Sequence, residues 1–160
     1  MRIYADTSFI LKLLIEEPGS TGAVALYRSM HRPKIFFSSL HQLEVANSIR
    51  HKAFHQRRSL PSSQRASIRR ELNASLNDLK KFIARGAFAE VSPDLDTGMQ
   101  SACHLSEKHT ERLGCRGFDV LHVALALQLK CEVFLTCDRI QGALAHAEGL
   151  RVTIVSDGAD

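Results

Sequence analysis

Short apolar runs alternate with amphipathic stretches along the whole chain. Ile3, Tyr4 and Ala5 form a run short enough for a buried strand, and residues 9 to 15 carry an amphipathic helical pattern. Between them Asp6, Thr7 and Ser8 make a sharp polar turn with good N-cap chemistry. Glu17, Pro18, Gly19 and Ser20 then break the chain before a second helix that runs to about Met30. Pro33 precedes a second strand at Ile35, Phe36 and Phe37, and Ser38 and Ser39 offer an N-cap for a helix over about residues 40 to 56. Leu60, Pro61 and Ser62 restart a helix that runs to about Arg85, with Gly86 as its stop. A weak third strand spans 87 to 91, and Ser92, Pro93 and Asp94 start a helix ending near Leu113 and Gly114. Residues 118 to 130 are a helix apolar on most sides; a strand over 132 to 136, a helix over 138 to 148 and a last strand over 151 to 155 follow.

All four prolines fall at these joints, which supports the segmentation. No repeat, low-complexity segment or linker is visible, so residues 1 to 160 read as one domain. Strands alternating with helices predict a mostly parallel α/β sheet, helix-rich.

On this map several carboxylates fall where chemistry is placed in such sheets, at the C-terminal strand ends. Asp6 ends the first strand. Asp138 repeats the arrangement after Val133 to Cys137, with Gln141 placed for a capping box. Either Asp, taken singly, is explained as a helix cap. Glu44 lies about one turn into the helix after the second strand. Leu40, Leu43, Val45, Ala46, Ile49 and Ala53 form that helix's apolar face, and Glu44, Asn47 and His51 a polar line along its edge. Asp119 sits in the first turn of the most apolar helix, with His122 on the same side at i, i+3. Favourable placement at a helix N-terminus together with an Asp–His hydrogen bond would explain Asp119, and pairing with a Lys or Arg would explain Glu44 as a boundary residue. Four carboxylates meeting at one end of a sheet repel, so they require protons or a cation. An all-oxygen set suits Mg²⁺ or Mn²⁺, which can activate a water and stabilise the leaving oxygen of a phosphodiester.

The formal charge of +4 adds to this picture because it is unevenly spread. Residues 50 to 70 hold seven Lys or Arg, among them Arg50, Lys52, Arg57 and Arg58, and no Asp or Glu. That excess is either a solvated helical face or a grip on a polyanion's phosphates. Aromatic residues are 6% of the chain and Trp is absent, which argues against a base-stacking platform. No run approaches a membrane span, and the apolar run after Ser8 is broken by Lys12 and followed by no small-residue cleavage site. Cys103, Cys115, Cys131 and Cys137 match no zinc or redox spacing and read as reduced thiols of a cytoplasmic protein, at least two of them on buried strand or helix positions.

The ordered set Asp6-Thr7-Ser8, Glu44 with Asn47, Asp119 with His122, then Thr136 and Asp138 resembles the PIN domain, and within it the VapC-type toxin ribonucleases of prokaryotic toxin–antitoxin pairs. The resemblance spans nearly the whole chain; no one motif is specific, but the ordered set is. It implies a five-stranded parallel sheet of order 3-2-1-4-5 and Mg²⁺- or Mn²⁺-dependent RNA cleavage. Asp6, Glu44 and Asp119 match the three core acids and Asp138 the fourth, more variable one. Thr136 matches the hydroxyl residue before it, and Thr7 and Ser8 the polar pair after the first Asp. It further implies a homodimer and a small antitoxin partner that can block the acidic pocket. The helical region from about His51 to Arg85 is longer than in compact relatives.

Other classes fit less well. A dinucleotide-binding fold would need Gly-x-Gly-x-x-Gly after the first strand, and an Asp-x-Asp phosphatase would need Asp at position 8, which is Ser. The rival is a catalytically silent PIN-like protein that binds RNA or a partner.

Overall fold

A computed structural model describes residues 1–155. The elements are β1 (Ile3–Ala5), α1 (Thr7–Leu14), α2 (Ser20–Ser29), β2 (Ile35–Phe37), α3 (Ser39–Ser59), a 3₁₀ turn (Ser62–Gln64), α4 (Arg65–Ala84), β3 (Phe88–Glu90), α5 (Leu95–Leu113), α6 (Gly117–Gln128), β4 (Val133–Thr136), α7 (Arg139–Ala147) and β5 (Arg151–Ile154). The strands form one parallel sheet in the order β3-β2-β1-β4-β5. Both the α/β class and the strand order match expectation. Gly86 and Gly114 adopt positive φ of 69° and 72°, so each ends its helix where a side chain would be strained.

The period-2 alternation of the strands divides the core. Ile3 and Ala5 face one side of the sheet, with Phe9 and Ile10 of α1, Ile49 of α3 and Leu79 of α4. Tyr4 faces the other, with Leu121, Leu125 and Leu144 of α6 and α7. Tyr4 stacks on Phe134 of the neighbouring strand, ring centroids 5.6 Å apart and 11° from parallel. Cys115 and Cys131 are buried as expected, but in the loops before α6 and before β4 rather than on a strand or helix.

The register positions the chemistry. Ala5 pairs with Leu135, and the Asp6 N–H donates to the Leu135 carbonyl at 2.9 Å. That bond carries the β1–β4 ladder one step past the strands and sets Asp6 beside Thr136. The strand order reverses between β1 and β4, so this is the topological switch point of the sheet.

One expectation about α3 is corrected. Leu43 was placed on the apolar face, yet its side chain is 65% exposed, and His41 is fully buried in the helix's first turn. The reason is hydrogen bonding. His41 Nδ1 accepts from the Ser38 N–H at 3.0 Å, and Nε2 donates to the Ala5 carbonyl at 2.8 Å. Both ring nitrogens are satisfied, so the imidazole sits neutral in the core and ties α3 to the end of β1.

A pH signature follows. Burial foremost, aided by the nearby His122, lowers the His41 pKa from 6.5 to about 3. The unfolded chain therefore binds a proton that the folded one refuses. The stability contributed by neutral His41 is complete above the unfolded pKa and is lost as pH falls toward the folded one. Between about pH 6.5 and about pH 4.5 this residue should cost on the order of 2 kcal/mol. Urea unfolding across that window, with His41→Gln alongside, tests it: the variant should show a shallower loss.

Candidate active site

A cavity of about 610 Å³ opens at the C-terminal end of β1 and β4, and Asp6, Glu44, Asp119 and Asp138 all line it, with Thr7, Ser8, Arg116 and Gln141. Each acid arrives from a different element: the end of β1, the second turn of α3, the first turn of α6, and the cap of α7.

Asp6 is 4% exposed and caps α1, its Oδ1 accepting the Phe9 N–H at 2.9 Å. Ser8 Oγ lies 2.7 and 2.8 Å from its two oxygens, and Thr136 Oγ1 donates to Oδ2 at 2.9 Å. The cap and the pocket thus share one carboxylate. Burial raises the Asp6 pKa, and these hydrogen bonds only partly oppose it. The same hydroxyls brace β4: Thr136 Oγ1 accepts the Asp138 N–H at 2.9 Å and Ser8 Oγ the Cys137 N–H at 3.0 Å.

Glu44 is held differently. Its Oε2 accepts from Thr7 Oγ1 at 2.9 Å and from His122 Nε2 at 2.5 Å, while His122 Nδ1 lies 2.9 Å from the Tyr4 hydroxyl. Burial pushes the Glu44 pKa up, but the hydrogen bond and charge of His122, with Thr7, outweigh it and leave the carboxyl more acidic than usual. Glu44 pairs with His122 rather than a Lys or Arg, and His122 does not bond Asp119, but Asp119 does cap its helix, its Oδ2 accepting the Arg116 N–H at 3.2 Å.

Asp119 and Asp138 share a partner. Arg116 Nε donates to Asp119 Oδ2 at 3.0 Å, and Nη2 donates to Asp138 Oδ2 at 3.1 Å. Asp138 Oδ1 meanwhile caps α7, accepting the Ile140 and Gln141 N–H groups at 2.8 and 3.0 Å. Gln141 does not close a capping box. It is buried, and its Nε2 donates to the Asp119 carbonyl at 3.3 Å, linking α6 to α7.

Arg116 went unnoticed in the sequence. It lies three positions before Asp119, a spacing that could have flagged it as a cap-side partner. The sequence offers Tyr4 only as a strand residue and Gln141 only as a capping-box partner, because their observed roles depend on contacts between elements far apart in the chain. Asn47 is exposed and lines an adjoining groove with His51 and Lys52; Leu11 borders both that groove and the acidic cavity. Arg50, Arg57 and Arg58 are exposed further along α3, with Arg57 about 20 Å from Glu44 at the helical rise.

Among the described residues, no group of three or more His, Cys, Asp or Glu stands ready to hold a metal ion. The acids find their partners within the chain: Arg116 for Asp119 and Asp138, His122 and Thr7 for Glu44, and the Ser8 and Thr136 hydroxyls for Asp6. The donor set itself fits a hard divalent cation, being carboxylate oxygens throughout, and a cationic group already bridges two of them.

Comparison with known proteins bears on family and fold. A family model described as the PIN domain matches residues 3–147. Among solved structures, the fold is similar to that of FitAcB from Neisseria gonorrhoeae, with a TM-score of 0.62 and 18% identity over 94% of this chain and 95% of that one. At that identity the likeness speaks for the fold alone. Comparison with curated proteins gave no match.

Proposed function

The chain belongs to the PIN-domain family, and on that premise we propose that it is a divalent-metal-dependent endoribonuclease, the toxin component of a toxin–antitoxin pair. The observation that carries this reading is the meeting of Asp6, Glu44, Asp119 and Asp138 around one cavity at the switch point of the sheet. Helix caps alone would not require Glu44 to be there.

Asp6, Glu44 and Asp119 would hold one or two Mg²⁺ or Mn²⁺ ions, with Asp138 completing the site. The ion supplies activation of a water and charge stabilisation at the leaving oxygen of the phosphodiester. The protein's own part is positional. Ser8 and Thr136 fix the Asp6 carboxylate, and Thr7 and His122 hold Glu44 ionised and aimed into the cavity. Arg50, Lys52, Arg57 and Arg58 would take the RNA backbone along α3, reached from the cavity by the groove past Leu11 and Asn47. We assign the protein to the cytoplasm, as a homodimer held by an antitoxin. No helix among the described residues is long and apolar enough to cross a membrane.

One observation favours the second reading, a catalytically silent binding protein: Arg116 and His122 already pair with three of the acids. Cleavage assays separate the two. Purified protein freed of any co-expressed partner should cut structured RNA, including tRNA, with Mn²⁺ or Mg²⁺. Chelator should stop it, and Asp119→Asn should be inactive. Cutting that survives both treatments would come from a contaminant. Absence of cutting together with absence of metal binding would establish the silent reading.

A further inference from the structure

Arg116 is the side chain that pairs with two of the four carboxylates, and those two come from different elements. Its guanidinium presents one edge, Nε to Asp119 and Nη2 to Asp138. Without that positive charge the two carboxylates would face each other across the cavity mouth and repel. The contact spans the α6 and α7 sides of the site and holds them in register.

The same geometry makes the guanidinium removable. Its side chain is 77% exposed, so leaving the acids takes it into water and uncovers little apolar surface. The Arg116 backbone N–H also donates to Asp119 Oδ2, at 3.2 Å, so the α6 cap persists when the side chain swings away. The guanidinium spreads a single charge over a plane, whereas a divalent ion concentrates two charges at a point and takes carboxylate oxygens directly. Both cannot sit between Asp119 and Asp138, because like charges in one place exclude each other.

We propose that Arg116 is the resident counter-cation of the Asp119–Asp138 pair, and that a divalent ion enters the site by displacing it. Arg116 is thus a positioning residue that keeps the acids gathered in the metal-free protein and sets the affinity for metal. The proposal rests on the metal-dependent reading above and adds a competitor built into the same chain.

Calorimetric titration of Mn²⁺ into the purified full chain tests it, with Arg116→Gln and Arg116→Lys. The Gln variant loses the competing charge and should bind Mn²⁺ roughly fivefold to tenfold more tightly, the scale of an exposed charge-assisted contact. The Lys variant keeps the charge and should stay near wild type. A second readout needs no catalysis: the Arg116 Nε–H resonance should move to a solvent-exposed position as Mg²⁺ saturates the protein. Equal or weaker Mn²⁺ binding by Arg116→Gln, with normal binding by wild type, overturns the displacement and leaves the metal reading intact. So does an unmoved Nε–H resonance under Mg²⁺ binding that Asp119→Asn abolishes. No Mn²⁺ binding by any of the three proteins overturns the metal reading, and the proposal with it.

Discussion

Asp6→Asn should lose RNA cleavage by roughly a thousandfold or more while the protein stays at least as stable as wild type at neutral pH. The two effects have one cause. Burial raises the Asp6 pKa, so the ionised carboxylate is a burden on the fold at pH 7 and stands ready for a cation. Because the folded pKa is raised, the stability associated with this group is complete below the unfolded pKa and lost as pH rises through the folded one. Asn removes the charge and keeps the shape. Its carbonyl can still accept the Phe9 N–H, and its amide can donate to the Ser8 and Thr136 oxygens once those hydroxyls rotate. The stability gained over wild type should therefore appear at pH 7 and fade near pH 4. Denaturant curves at both values, beside a cleavage assay, read both effects. Wild-type cleavage would remove Asp6 from the site, and marked destabilisation at pH 7 would refute the electrostatic account.

His122→Ala carries the largest expected cost to folding, roughly 2–5 kcal/mol. The imidazole is buried between the Tyr4 hydroxyl and Glu44 and packs against the His41 ring, 5.0 Å centroid to centroid. Its loss leaves a cavity, a fully buried Tyr4 hydroxyl reduced to its Ser38 contact, and a Glu44 whose burial is offset by Thr7 alone. The Glu44 pKa should then rise. Tyr4→Phe separates the contributions by removing that hydroxyl in advance. In that background His122→Ala should cost about 1 kcal/mol less, a coupling readable by a double-mutant cycle. Strict additivity would show that the hydrogen bond contributes nothing and that the cost is packing alone.

These predictions turn on residues that the sequence exposed unequally. Asp6 and Asp138 were legible because a carboxylate between an apolar run and an amphipathic helix is a local pattern. The same locality left their helix-cap explanation standing, and the structure shows cap and pocket served by one side chain. Glu44 was legible from helical spacing, but Leu43 was misplaced by the same reasoning. Periodicity weighs residue types and cannot know that His41 finds a backbone donor and a backbone acceptor exactly where burial demands them.

The chain by itself determined the alternation of strands and helices, the breaks at Pro18, Pro33, Pro61 and Pro93, the helix stops at Gly86 and Gly114, and the acids as candidates. These depend on interactions within one turn or one strand. The order 3-2-1-4-5 followed from resemblance alone, since strands of three or four apolar residues carry no record of which neighbour they pair with. Tertiary structure decided the rest: Tyr4 behind His122, Gln141 bridging α6 to α7, and Arg116 between Asp119 and Asp138. Those contacts join residues up to 118 positions apart. Hydrogen bonds and ion pairs act over a few ångströms, so such partners exist only once the sheet has brought its strand ends together.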